Sequence, residues 1–205
     1  TASREASRGR FTRALELLPA VPKRDWTLHP QVIVLAAELQ HQTGNLAAAS
    51  RIATALMRSA DIRGTISSRC LAVLGMCAFE TGKLRQSTEL FQKAVRAGEE
   101  AGDLEFTCHA MLCLLGRLAG VSAPGSLASL ISDTQGLVKT LNQNNLTIRL
   151  HLTLGRTEGG NGLLDEADRH FLAAKALLAS TPNAWLEGLY LMDASTVSYL
   201  RADFA

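Results

Sequence analysis

Apolar residues along this chain recur at three- and four-residue intervals, and no stretch sustains the two-residue alternation of a half-buried strand. Leu71, Leu74 and Ala78 share one helical face, as do Leu112, Leu115 and Ala119; Leu150 and Leu154 do the same, with Leu152 one strip over. The pattern predicts an all-α protein. Its punctuation agrees: His29-Pro30, Ala123-Pro124 and Thr181-Pro182 put proline at or near a first helical position, where its missing N–H is harmless. Gly44, Gly82 and Gly162 each close one helical run and precede another, as expected of turns that need a positive φ.

The turns form a series. Gly9, Gly44, Gly82, Ala123, Gly162 and Ala202 occupy equivalent places at spacings of 35, 38, 41, 39 and 40 residues. Each marks a helix, a tight turn and a second helix. Five residues beyond the turn lies a small residue, Ala14, Ala49, Ser87, Ala128 or Ala167, and at eight or nine beyond it Leu18, Ala53, Phe91 or Phe171. Seven residues before the turn stand Ala37, Gly75, Gly116 and Gly155. Small residues at these places let antiparallel helices cross closely, and the larger ones fill the adjacent holes.

This arrangement resembles the tetratricopeptide repeat. Leu74-Gly75, Gly82, Phe91 and Ala94 match its hallmark residues in one copy, and Leu154-Gly155, Gly162, Ala167, Phe171 and Ala174 match them in another. The copy around Gly44 has Ala36-Ala37 in place of Leu-Gly, and the copy around Ala123 keeps Leu115-Gly116 but lacks the turn glycine and the later Phe. The period is longer than the family's usual ~34 residues and is similar to that of kinesin light chains, mitotic-spindle adaptors and bacterial transcription regulators and signalling proteins. The resemblance implies a right-handed α-solenoid over 1–205: a partial repeat 1–28, repeats near 29–66, 67–107, 108–147 and 148–186, and a partial repeat 187–205. Both ends then fall inside a repeat, and a start at Thr1 without Met reads as a piece of a longer chain. Arg201 to Ala205 reads as a turn opening a second helix. The last long helix would expose Trp185, Leu189, Tyr190, Met192 and Tyr199.

Composition narrows the function classes. Twenty-one Lys and Arg against 19 Asp and Glu give a net charge of +2 with the signs interspersed, which disfavours nucleic acid as a direct partner. No apolar run approaches the ~18 residues that span a bilayer, so no membrane role is expected. Cys70, Cys77, Cys108 and Cys113 lack CxxC pairing and read as reduced, buried thiols in a cytoplasmic protein.

Catalytic motifs are missing from the sequence. "GRTEGGNG" (155–162) lacks the Lys of a phosphate loop, and no GxSxG, HExxH or dinucleotide fingerprint occurs. Cys108 and His109 are adjacent and so point about 100° apart on a helix, which does not make a metal site. The reading is a non-catalytic protein, with no cofactor and no metal. What the resemblance implies instead is a concave face lined by the first helices: Gln31, Val34, Glu38 and His41; Arg69, Ala72, Met76 and Phe79; Ala110, Cys113 and Arg117; Arg149, Leu152 and Arg156. Two readings of its arginines stay open. They could grip an acidic peptide or helix, with Met76 and Phe79 as an adaptable apolar patch, or each could pair with an acid of the neighbouring repeat. The function expected is a protein- or peptide-binding scaffold, the sensor or interaction module of a larger regulatory protein. The alternative is a self-association module that dimerises through uncapped ends or the apolar last helix; a third reading, a small-ligand receptor or enzyme, would need a deep pocket with convergent polar groups, which the sequence does not reveal.

Overall fold

The computed structural model describes residues 1–18, 28–59, 62–119 and 125–202, and all the regular structure among them is helical. Eleven helices follow in order: α1 (Ala2–Ser7), α2 (Phe11–Glu16), α3 (Pro30–Gln42), α4 (Leu46–Met57), α5 (Gly64–Glu80), α6 (Leu84–Glu100), α7 (Leu104–Leu118), α8 (Ala128–Leu141), α9 (Asn144–Gly160), α10 (Leu164–Ser180) and α11 (Ala184–Ala202). They divide into two compact units, Thr1–Ala110 and Met111–Ala205.

In the first unit, α1 packs on α2, α2 on α3, α3 on α4 and α5 on α6, while α5 also touches both α3 and α4. Each hairpin therefore rests on its neighbour in sequence, as repeat packing requires. The reversals share one hydrogen-bond pattern. Gly82 N–H donates to Phe79 O at 2.9 Å and Lys83 N–H reaches back to Ala78 O at 2.8 Å, closing the end of α5 with Gly82 at φ 76°. Gly44 and Gly162 close α3 and α9 in the same way at φ 82° and 81°, and Gly9 does so for α1 at 74°. Gly102, at 66°, makes the equivalent turn between α6 and α7, a turn the sequence reading passed over.

The core seam of a hairpin is seen best between α5 and α6. The Phe91 ring is fully buried over Gly75, where a Cβ would stand 3.2 Å from it, and Ser87 Oγ donates to Gly75 O at 2.7 Å. Only a residue without a side chain lets the aromatic ring lie on the backbone there. Ser68 Oγ, also fully buried, donates to Ala94 O at 2.6 Å one stretch along the same seam. Between α9 and α10 the arrangement returns, with Phe171 over Gly155, Ile148 and Leu152 buried beside it, and Ala167 and Ala174 sealed opposite.

The seam repeats at forty residues. Ser68, Ala72 and Gly75 are buried in α5; Cys108, Leu112 and Leu115 in α7; Ile148, Leu152 and Gly155 in α9. That register corrects the expectation for the middle repeat. Leu115, not Gly116, is the fully buried residue at this register, and the site of a Cβ on Gly116 would meet only Thr153 Cγ2 at 3.8 Å. Ala128 likewise is exposed, whereas Ala14, Ala49, Ser87 and Ala167 are fully buried; in α8 the buried positions are Thr134 and Val138. The expected turn at Ala123-Pro124 lies outside the described residues.

In the second unit, α9 contacts α8, α10 and α11, and α11 also packs on α10. Thus α11 stands to the α9–α10 hairpin as α5 stands to α3–α4. Asn183 starts α11, its Oδ1 accepting from Trp185 and Leu186 N–H, with Pro182 just ahead. The helix runs through Arg201 and Ala202 without the expected turn, and 203–205 lie outside the described residues. Leu186 and Val197 anchor it, with Trp185, Leu189 and Tyr190 partly buried against the α9–α10 core. Of the five residues expected to be exposed, only Met192 and Tyr199 are, joined by Leu191.

Candidate interaction surface

The residues expected to face a groove sort into two groups by register. Positions ten before the turn belong to the hairpin seam: Val34 is fully buried in the α3–α4–α5 core, Ala72 is buried in α5, and Leu152 is buried against α10 and α11. They are core residues with no surface to offer. His41, three before its turn, is 8% exposed and also inward. Positions thirteen and six before the turn remain at the surface or half-buried: Gln31 and Glu38 on α3, Arg69 and Met76 on α5, Arg149 and Arg156 on α9. Phe79, Cys113 and Arg117 are half-buried, and Ala110 is fully buried.

In the first unit the strip is an ion-paired ladder across neighbouring first helices. Arg69 Nε donates to Glu38 Oε1 at 2.7 Å, and its Nη2 to the second carboxylate oxygen, a two-pronged contact between α5 and α3. Burial works against the Arg69 charge, but the hydrogen bond and charge of Glu38 outweigh it and raise the guanidinium pKa. Farther along, His41 Nε2 lies 2.8 Å from Glu80 Oε1. Both pairs join α3 to α5 and so tie one repeat to the next. Met76 packs partly against the same core.

The second unit places its arginines differently. Arg156 Nη2 lies 3.4 Å from Asp193 Oδ2 on α11, and that carboxylate is only 6% exposed. Burial raises the Asp193 pKa, and Arg156 draws it partly back. Arg149 Nη2 donates to Cys113 Sγ at 3.5 Å, and its guanidinium carbon sits 5.6 Å from the centre of the Trp185 ring, in cation–π range. Arg69 is therefore hydrogen-bonded to an acid of the adjacent first helix, as in the second of the two readings, whereas Arg156 is ion-paired with Asp193 but its Nε and Asp193 Oδ2 are buried without a hydrogen-bond partner among the described residues. Asp193 and Trp185 went unnoticed as partners. The readable signal for Asp193 was an acid in the middle of the largely apolar helix 184–202, whose only other acid is Glu187 in the first turn, thirty-seven residues after Arg156.

A second polar cluster joins α9 to α10. His151 Nδ1 and His170 Nδ1 are 2.9 Å apart, so one must donate and the other accept, while His170 Nε2 lies 3.3 Å from Glu158 Oε2. Burial, then the charge of His170, lowers the His151 pKa. No local pattern joins these residues, because the contact depends on how α10 folds back. Among the described residues, no group of three or more His, Cys, Asp and Glu is arranged to hold a metal ion. Cys70, Cys77 and Cys108 are buried and form no disulfide, and burial pushes Cys70 up to about 12 and Cys77 to about 11. Among the described residues no helix is long and apolar enough to cross a membrane. An open depression at the start of α6 is lined by one stretch, Gly82 to Gln86 with Glu89, and gathers no convergent chemistry. No protein-family model matches the chain, and no curated protein matches it.

Proposed function

We propose that this chain is a non-catalytic protein- or peptide-binding scaffold of the tetratricopeptide-like, right-handed solenoid kind, acting as the interaction module of a larger regulatory or signalling protein. One observation carries the reading. The first helices α3, α5 and α9 bury the same register against their hairpin partners, yet each leaves the residues thirteen and six before its turn exposed or half-buried, with a chemistry that differs from one helix to the next. A constant seam with a variable strip is the division of labour expected of a repeat scaffold that recognises a partner. The strip does not supply a bare row of cations. Its Arg69 charge is matched by Glu38, so recognition there rests on a paired edge beside Met76 and Gln31 and not on net positive charge.

The test is a charge exchange that keeps the pair. In an E38R/R69E double variant the bridge between α3 and α5 is retained with its polarity reversed, so the hairpins stay docked while the surface changes sign. Quantitative affinity capture with the wild-type chain and this variant, with helicity checked by circular dichroism, should show specific partners lost from the variant. Identical partners recovered at equal yield would remove this strip as the binding surface.

A further inference from the structure

Among the described residues nothing is laid over the positions where the forty-residue seam reaches α11. Adding forty to Ile148, Leu152, Gly155 and Gly159, all buried in α9, gives Gly188, Met192, Ser195 and Tyr199, all exposed on α11. Met192 is 54% and Tyr199 66% exposed, and Leu191 beside them 59%. A Cβ placed on Gly188 would meet nothing within 4 Å. The opposite face of α11 is committed to the α9–α10 core through Leu186, Asp193 and Val197. What is left open is therefore the face that, in α5 and α9, receives an antiparallel helix.

The order of sizes along this face says which helix fits. It reads small, large, small, large, from Gly188 through Met192 and Ser195 to Tyr199. When a second copy of the helix is laid antiparallel about a two-fold axis midway between Asp193 and Ala194, Gly188 falls opposite Tyr199 and Met192 opposite Ser195. Each large side chain meets a small one, twice over. The aromatic-over-glycine contact this creates is the one the chain already uses at Gly75–Phe91 and Gly155–Phe171. A two-fold contact must be self-complementary in this way.

We propose that α11 is a homotypic docking site, pairing antiparallel with α11 of a second copy of this chain through Gly188, Met192, Ser195 and Tyr199. The contact is independent of the strip assigned above to a partner protein. One helix from each copy makes a small interface, so the dimer forms reversibly, at micromolar and not nanomolar concentration.

Size-exclusion chromatography with light scattering, and sedimentation velocity over a concentration series, test this on the full 205-residue chain. The wild type is expected to pass from monomer to dimer. G188E fills the hole that receives the ring, and Y199K removes the ring, so each should raise the dissociation constant by about tenfold or more. An equimolar mixture should dimerise again, because a mixed pair keeps one native Gly–Tyr contact and gains one Glu–Lys contact. Both positions are exposed, and unchanged helicity verifies folding; M192S gives a milder reading of the same face should either charged variant misfold. A chain that stays monomeric at every concentration overturns the proposal, and so does a dimer indifferent to all three variants. A monomer that instead binds a synthetic peptide of Leu164–Ser180, and loses it with M192S, would also overturn it by showing that the seam takes a foreign helix.

Discussion

Replacing Gly155 with alanine probes the crossing of α9 and α10 in the second unit. A Cβ there would stand 2.8 Å from Phe171 Cε1 and 2.9 Å from Cζ, and the ring has little freedom to yield because Phe171 is only 3% exposed. Two effects oppose each other. Alanine in a helix interior is better than glycine by about 1 kcal/mol, while forcing a methyl group into a close-packed seam costs about 1–3 kcal/mol. Gly136 in α8 supplies the control, being helical and in the same unit with nothing within 4 Å of its Cβ position. Gly136→Ala should gain close to the full propensity term. Gly155→Ala should lose stability, the two variants differing by the steric cost alone, ~1–3 kcal/mol. Urea titrations followed by circular dichroism give both values. If Gly155→Ala stabilises the protein as much as Gly136→Ala does, the seam is not closely packed and the account of the α9–α10 hairpin is wrong.

Other perturbations follow from the polar contacts. Burial raises the folded-state pKa of Asp193 above its unfolded value, so any stability from its proton is present below the ordinary carboxylate range and lost as pH rises through the folded pKa. Asp193→Asn should therefore stabilise the chain near pH 7, with the gain shrinking by about pH 4, as urea midpoints at the two pH values will show. Arg69→Met strands Glu38, which is 24% exposed, and should cost about 1–3 kcal/mol in thermal or urea unfolding; adding Glu38→Gln should restore most of it. Thiol labelling of the folded protein should modify half-buried Cys113 before Cys70 and Cys77, whose raised pKa values leave almost no thiolate near neutral pH; mass spectrometry of a time course reads the order.

Local rules carried the sequence reading a long way. The turn glycines, Pro30 at the start of α3, and the small residues Ala14, Ala49, Ser87 and Ala167 were legible because each answers a requirement set within a few residues: a positive φ, a missing N–H, or a close crossing. The middle repeat was misread by one residue because it has neither a turn glycine nor a Phe, and Gly116 beside Leu115 imitated the Leu-Gly of its neighbours. The surface was less legible. Mapping by family position placed Val34 and Leu152 in a groove, although ten before the turn is a seam position in the α3–α4, α5–α6 and α9–α10 hairpins. Ion pairs such as Arg156 with Asp193, and the His151–His170 contact, depend on the spacing between helices, which no local pattern encodes.

The central claim is that one buried seam recurs in forty-residue steps through α5, α7 and α9 and that, among the described residues, the equivalent positions of α11 are exposed. Aspartate substitutions at Ala72, Leu112, Leu152 and Met192, measured by urea unfolding, test it directly. The first three sites are 5%, 2% and 1% exposed, and an unpaired charge there should cost several kcal/mol or prevent folding, whereas Met192, at 54%, should tolerate it within about 0.5 kcal/mol. A scan in which Met192→Asp is as damaging as the others, or in which any of the first three is tolerated, would contradict the repeat.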